Sequence, residues 1–159
     1  ISLSKRQIRK KVSCVRGRGN KKTVVRLKIS DRTALGHLFL KPAAARILVR
    51  SNYQRQLWLD AGCHPKVVST IHKVKGLEFP LVLLDLSGGW NRQPERPDEE
   101  IRIAYVGASR AEDRLILLSV DIASEDTTEG RILKLFENQL QISIVELKAW
   151  LEEASGRGE

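Results

Sequence analysis

The chain has 159 residues, enough for one domain with a substantial core, and its 28 Lys and Arg against 19 Asp and Glu leave a formal charge of +9. Two cysteines, Cys14 and Cys63, form no metal or disulfide pattern, and there is neither a secretory segment nor a long apolar run. A secreted disulfide scaffold and a membrane-spanning chain are thereby excluded, and a reducing, cytoplasmic setting is expected.

The excess charge is confined to one end. Ile1 to Ser30 carries eleven basic and no acidic residues, whereas the remainder sets 17 basic against 19 acidic. Such a block attracts phosphate backbones or acidic surfaces, or else forms a solvated edge with no partner. The sequence holds no methionine, even at its start, which is what a fragment or a trimmed product would show.

In chain order, Gly17 to Asn20 reads as a turn, and Thr23 to Ser30 alternates Val25, Leu27 and Ile29 with Arg26 and Lys28, the period of a half-buried strand. Val12 to Val15 can pair with it as an edge hairpin, so residues 1–30 are expected to form a basic arm and 31–156 the main lobe. Asp31 can cap a helix running to about Leu40. Ala45 to Arg50 predicts a buried strand, and Ser51 or Asn52 the cap of a helix from Tyr53 to Ala61 that Gly62 ends. Val67 to Thr70 and Leu81 to Leu86 predict two more strands.

Gly88 to Pro97 predicts a loop, Asp98 to about Arg110 a helix, and Leu115 to Leu118 a strand. Asp121 to Gly130 reads as a loop, followed by two amphipathic segments that pack Ile132, Leu133, Leu135 and Phe136, then Ile144, Leu147, Trp150 and Leu151. This order of strands and helices is that of an α/β domain with a mostly parallel sheet flanked by helices.

Chemistry concentrates in two runs. Thr70, His72 and Lys75 offer a hydroxyl, an imidazole and a cation just past a strand end, where ligands of open α/β sheets sit. Gly76 allows close backbone approach, and Glu78 can accept from ribose hydroxyls. Arg110, at the end of the Asp98 helix, offers a planar donor fork suited to phosphate oxygens.

Thr70-Ile71-His72 through Lys75-Gly76-Leu77-Glu78-Phe79-Pro80 resembles motif V of the UvrD/Rep/PcrA group of superfamily 1 DNA helicases. Glu99-Glu100 through Tyr105-Val106-Gly107-Ala108-Ser109-Arg110-Ala111 resembles motif VI, with Ile101 where a basic residue is usual and Ser109 where Thr is usual. Ile47 to Asn52 is similar to motif IV.

The resemblance implies a second RecA-like lobe in which Arg110 is the arginine finger, Gly76, Glu78 and Arg110 meet ATP, and Arg50, Asn52, Thr70, His72 and Lys75 meet single-stranded DNA. ATP with Mg2+ is the implied cofactor, shared with an N-terminal RecA-like lobe in cis or in trans. Only a short helix separates motifs IV and V, where the group commonly carries an accessory insertion.

A phosphate-binding loop is absent: Gly17 to Thr23 has no glycine before its lysine and runs into a strand. Asp85 ends an apolar strand as a magnesium-binding acid would, yet no second acid follows it, and Asp98-Glu99-Glu100 lacks a preceding strand. The chain is therefore expected to hold one face of an ATPase site and to be inactive alone. The alternative is a nucleic-acid- or partner-binding module that keeps the lobe fold. Trp58 and Trp90 are expected to be packing or surface residues rather than platforms for stacking bases.

Overall fold

A computed structural model describes residues 23–28, 32–38, 45–90, 97–119, 127–136 and 140–157. Six parallel strands form one sheet in the order β3-β2-β4-β5-β1-β6. They are β1 (Thr23–Lys28), β2 (Ala45–Val49), β3 (Val68–Thr70), β4 (Phe79–Asp85), β5 (Ala111–Ser119) and β6 (Leu140–Ile142). The helices are α1 (Arg32–Leu38), α2 (Asn52–Asp60), α3 (Pro97–Ser109), α4 (Thr128–Leu135) and α5 (Ile144–Arg157), with a 3-10 turn at Ile71–Val74.

Parallel strands covered on both faces need apolar residues on both sides of the pleat, and Leu81 to Leu86 supplies an unbroken buried run. One face packs Ile47, Val49, Leu83 and Ile116 against Leu35 of α1, Trp58 of α2, and Leu147 and Trp150 of α5. The other packs Leu48, Val82, Leu84, Leu115 and Leu117 against Ile71 and Val74 of the 3-10 turn, Ala104 and Ala108 of α3, and Ile132 and Leu133 of α4. The expected α/β class thus holds, with every pairing parallel.

The edge-hairpin expectation for Thr23 to Ser30 does not hold. β1 lies inside the sheet, paired in parallel with β5 from Thr23↔Arg114 to Lys28↔Ser119 and with β6 from Val25↔Leu140 to Leu27↔Ile142. Both of its edges are occupied, and Val24 is buried on the face opposite Val25 and Leu27. The proposed division at residue 30 therefore cuts through the sheet. The rest of the arm, including Val12 to Val15 and the turn at Gly17 to Asn20, lies outside the described residues, as do Asp31 and most of the loops expected at Gly88 to Pro97 and Asp121 to Gly130. Of the latter, Thr127 to Gly130 start α4, with the Thr127 hydroxyl accepting from the Gly130 N–H.

The ends of α2 follow the expected chemistry. Ser51 is extended at φ −143° and its Oγ accepts from the Gln54 N–H, while Gly62 leaves the helix at φ +99°. Only the seven residues 61–67 join α2 to β3, and Arg55 holds that turn by donating to the carbonyls of Val68 and Pro65 at 3.0 and 2.9 Å.

Candidate functional site

Register settles where the motif residues lie. Val49 is level with Thr70, and Leu48 with Leu84, so β2, β3 and β4 end together on the carboxyl edge of the sheet. Arg50 and Asn52 follow β2 there, and His72 follows β3. Asn52 and His72 are exposed, and Thr70 is buried at 7% exposure with no side-chain bond to the 3-10 turn it precedes.

Gly76, Glu78 and Arg110 lie on the opposite, amino edge. Glu78 precedes β4 and Arg110 precedes β5, and the starts of these strands are tied by the Phe79 N–H donating to the Arg110 carbonyl at 2.7 Å. Six residue steps of β4 separate the edges, about 20 Å at strand rise. The expectation that Lys75 sits with Thr70 and His72 just past a strand end is thereby corrected, since Lys75 lies in the turn that precedes β4. The 3-10 turn leaves the end of β3 and carries the chain down one face of the sheet, so a run continuous in sequence touches both rims.

The descent ends in a tight turn. The Leu77 N–H donates to the Val74 carbonyl at 3.0 Å, Lys75 has φ −57° and ψ 130°, and Gly76 has φ +79°. Those are type II values, which place a positive φ on the third residue and favour glycine there. A Cβ on Gly76 would meet nothing within 4 Å, so turn conformation rather than crowding within the chain requires the glycine. Lys75, Leu77 and Glu78 are exposed around it.

Arg110 sits beside this turn. Its Nη1 donates to the Leu77 carbonyl at 3.4 Å, Nε to the Val106 carbonyl at 3.2 Å, and Nη2 to the Ser109 hydroxyl at 3.3 Å. All three acceptors are neutral and all three contacts are long, so the cation has no carboxylate partner among the described residues. Motifs V and VI meet at this point: the guanidinium of one touches the loop of the other. Tyr105 is half-exposed nearby on α3 and meets Phe136 in a tilted ring contact at 5.9 Å.

Arg50 is held quite differently. Its Nε and Nη2 donate to Glu100 Oε2 and Oε1, both at 2.9 Å, and its guanidinium lies 6.0 Å from the Trp90 ring centre. Glu100 is 4% exposed in the first turn of α3. The hydrogen bond to Glu100 raises the Arg50 pKa above its ordinary value against the lowering effect of burial. The direct strand contact expected of Arg50 must therefore be shared with an ion pair fifty residues away in sequence.

Asp85 is structural. It is fully buried, with Oδ2 accepting from Trp58 Nε1 at 2.8 Å and Oδ1 from the Ser87 N–H at 2.8 Å and the Ser87 hydroxyl. Its carbonyl accepts from Trp90 Nε1 at 2.9 Å, so both tryptophans pack, as expected. A carboxylate engaged in this way has no face open to a metal, and no group of three or more His, Cys, Asp or Glu among the described residues could hold one. Burial likewise pushes the Cys63 thiol up to about 11, which marks a core residue rather than a nucleophile.

Sequence reasoning missed two residues. Glu100 is one of three acids in the first turn of α3, and nothing in their order tells which turns inward. Gly107 brings α3 close to the sheet: a Cβ there would lie 3.0 Å from Leu84 Cδ1 and 3.2 Å from Ile71 Cδ1. A glycine inside a helical pattern was the available signal for such an approach.

Residues 45–121 match the family described as UvrD-like helicase C-terminal domain. No curated protein matches the sequence. Among solved structures, the chain is similar to the C-terminal domain of a possible DNA helicase from Lactobacillus plantarum WCFS1, at 20% identity and a TM-score of 0.49, over 87% of this chain and 96% of that one. No helix among the described residues is long and apolar enough to cross a membrane.

Proposed function

We propose, from the premise that residues 45–121 belong to the UvrD-like helicase C-terminal domain family, that this chain works as the second motor lobe of an ATP-dependent DNA helicase. The amino edge is its nucleotide half-site and the carboxyl edge its part of the single-strand track. The observation that carries the reading is the meeting of Arg110 with the Gly76 to Glu78 turn at the Leu77 carbonyl, 3.4 Å away.

The residues present fit part of an ATP site. Arg110 has no carboxylate partner among the described residues and can exchange its weak carbonyl contacts for charge-assisted bonds to phosphate oxygens. Glu78 is exposed next to it and can accept from ribose hydroxyls. The chain offers no carboxylate pair for Mg2+ among the described residues, so metal ligands and phosphate loop belong to an N-terminal RecA-like lobe in cis or in trans. ATP with its metal supplies the phosphoryl group passed to water. This chain supplies the cation that stabilises charge spread over that group.

Thr70, His72 and Asn52 share the carboxyl edge and are assigned to the strand, whereas Lys75 lies in the amino-edge turn beside Gly76, away from them. The reading is tested in a two-lobe protein combining this chain with a phosphate-loop lobe. Arg110→Ala should abolish DNA-stimulated ATP hydrolysis while the circular dichroism spectrum and melting temperature stay unchanged. Undiminished hydrolysis in that variant would end the assignment.

A further inference from the structure

The Arg50–Glu100 pair is not explained by stability. Desolvating two charges costs about what their attraction returns, and such pairs can often be replaced by apolar residues without loss. Its geometry is nevertheless specific: two parallel bonds at 2.9 Å fix the guanidinium plane, with Trp90 against it at 6.0 Å. Glu100 is engaged through both oxygens with its side chain 6% exposed, whereas the Arg50 side chain keeps 24% exposure.

Glu100 takes the Nε side of the fork and leaves Nη1 without a hydrogen bond among the described residues. The remaining donors lie at the strand-side rim, in the segment that also carries exposed Asn52 and Tyr53. Asp98 and Glu99, the other acids of the same helical turn, are exposed, so the inward turn of Glu100 is particular to this position.

We propose that Glu100 is a positioning residue: it locks Arg50 so that the free edge of its guanidinium is presented to a phosphate oxygen. The inference rests on the helicase-lobe reading and extends it with a residue that touches no ligand itself. The phosphate can come from a strand backbone or from a nucleotide, and the chemistry of recognition is the same. A pre-oriented arginine forgoes the ordering cost that a free one meets on binding, which is worth roughly 2- to 12-fold in affinity per long side chain.

The test uses the 159-residue chain and two probes at fixed salt: a single-stranded oligonucleotide and Mg-ATP, each titrated against wild type, Glu100→Gln and Arg50→Lys. Glu100→Gln removes a negative charge: a purely electrostatic role predicts affinity that rises, and a purely structural one a lower melting temperature with the affinity of the folded chain unchanged. Positioning predicts the opposite sign, a loss of roughly 2- to 12-fold for the probe that Arg50 contacts.

Arg50→Lys keeps the charge and the pairing but lacks the fork, and should lose affinity for the same probe with its melting temperature retained. The probe that responds identifies the source of the phosphate. A chain that binds either probe with affinity unchanged or improved in Glu100→Gln overturns this inference alone. A chain that binds neither probe also overturns this inference, while the helicase-lobe reading stands or falls separately on Arg110→Ala in the two-lobe protein.

Discussion

The two rims of this sheet treat their arginines in opposite ways. On the carboxyl edge Arg50 is clamped by a buried carboxylate through two bonds of 2.9 Å, and on the amino edge Arg110 rests on two carbonyls and a hydroxyl at 3.2 to 3.4 Å. A clamped cation builds structure and offers what remains of its donor set. An uncompensated one is available in full to an anion that arrives. Helix α3 joins the two, since its 13 residues span about 20 Å from the Glu100 turn to the approach of Arg110.

The sharpest way to break this contrast is to apply one substitution at both ends. Arg110→Ala in the two-lobe protein should cost about 10³- to 10⁵-fold in ATP turnover, with no change in the melting temperature of the isolated chain. Arg50→Ala should do the reverse to stability. It leaves Glu100 buried and unpaired, and chemical denaturation should show a loss of about 2 kcal/mol or more, short of the ~3 to 5 kcal/mol of a fully buried pair because Arg50 is partly hydrated. Equal thermal effects at the two sites would erase the distinction.

A smaller effect probes the link between the rims. Gly107→Val places atoms against Leu84 and Ile71, and overpacking of this kind should destabilise by about 1 to 3 kcal/mol. Because Ile71 begins the turn after Thr70, the variant should also weaken oligonucleotide binding. A Gly107→Val chain as stable as wild type would mean that α3 can shift away from the sheet freely.

Much of this was legible in the residues. Leu81 to Leu86 is an apolar run interrupted only by Asp85 that suits a strand covered on both faces, and Ser51 and Gly62 bracket α2 through local hydrogen bonding and backbone conformation. The motif order pointed to the family that residues 45–121 match.

What escaped was whatever depends on a distant partner. The alternation of Val25 and Leu27 with Arg26 reads as half-exposed. β1 is interior because Arg26 finds the Ser119 hydroxyl at 2.9 Å and Val24 packs under the second layer. β6 is three residues long with Gln141 at its centre, too short to show a period. The separation of Thr70 from Glu78 is a matter of register, and the positions between them in the sequence do not reveal that the chain has crossed the sheet from edge to edge.

The most direct test of the two-rim account is amide chemical-shift mapping of the isotopically labelled chain, titrated separately with a nucleotide and with a single-stranded oligonucleotide. The account predicts that the nucleotide perturbs Gly76, Leu77, Glu78 and Arg110 while the oligonucleotide perturbs Asn52, Thr70 and His72. One common set of residues answering to both ligands would contradict it.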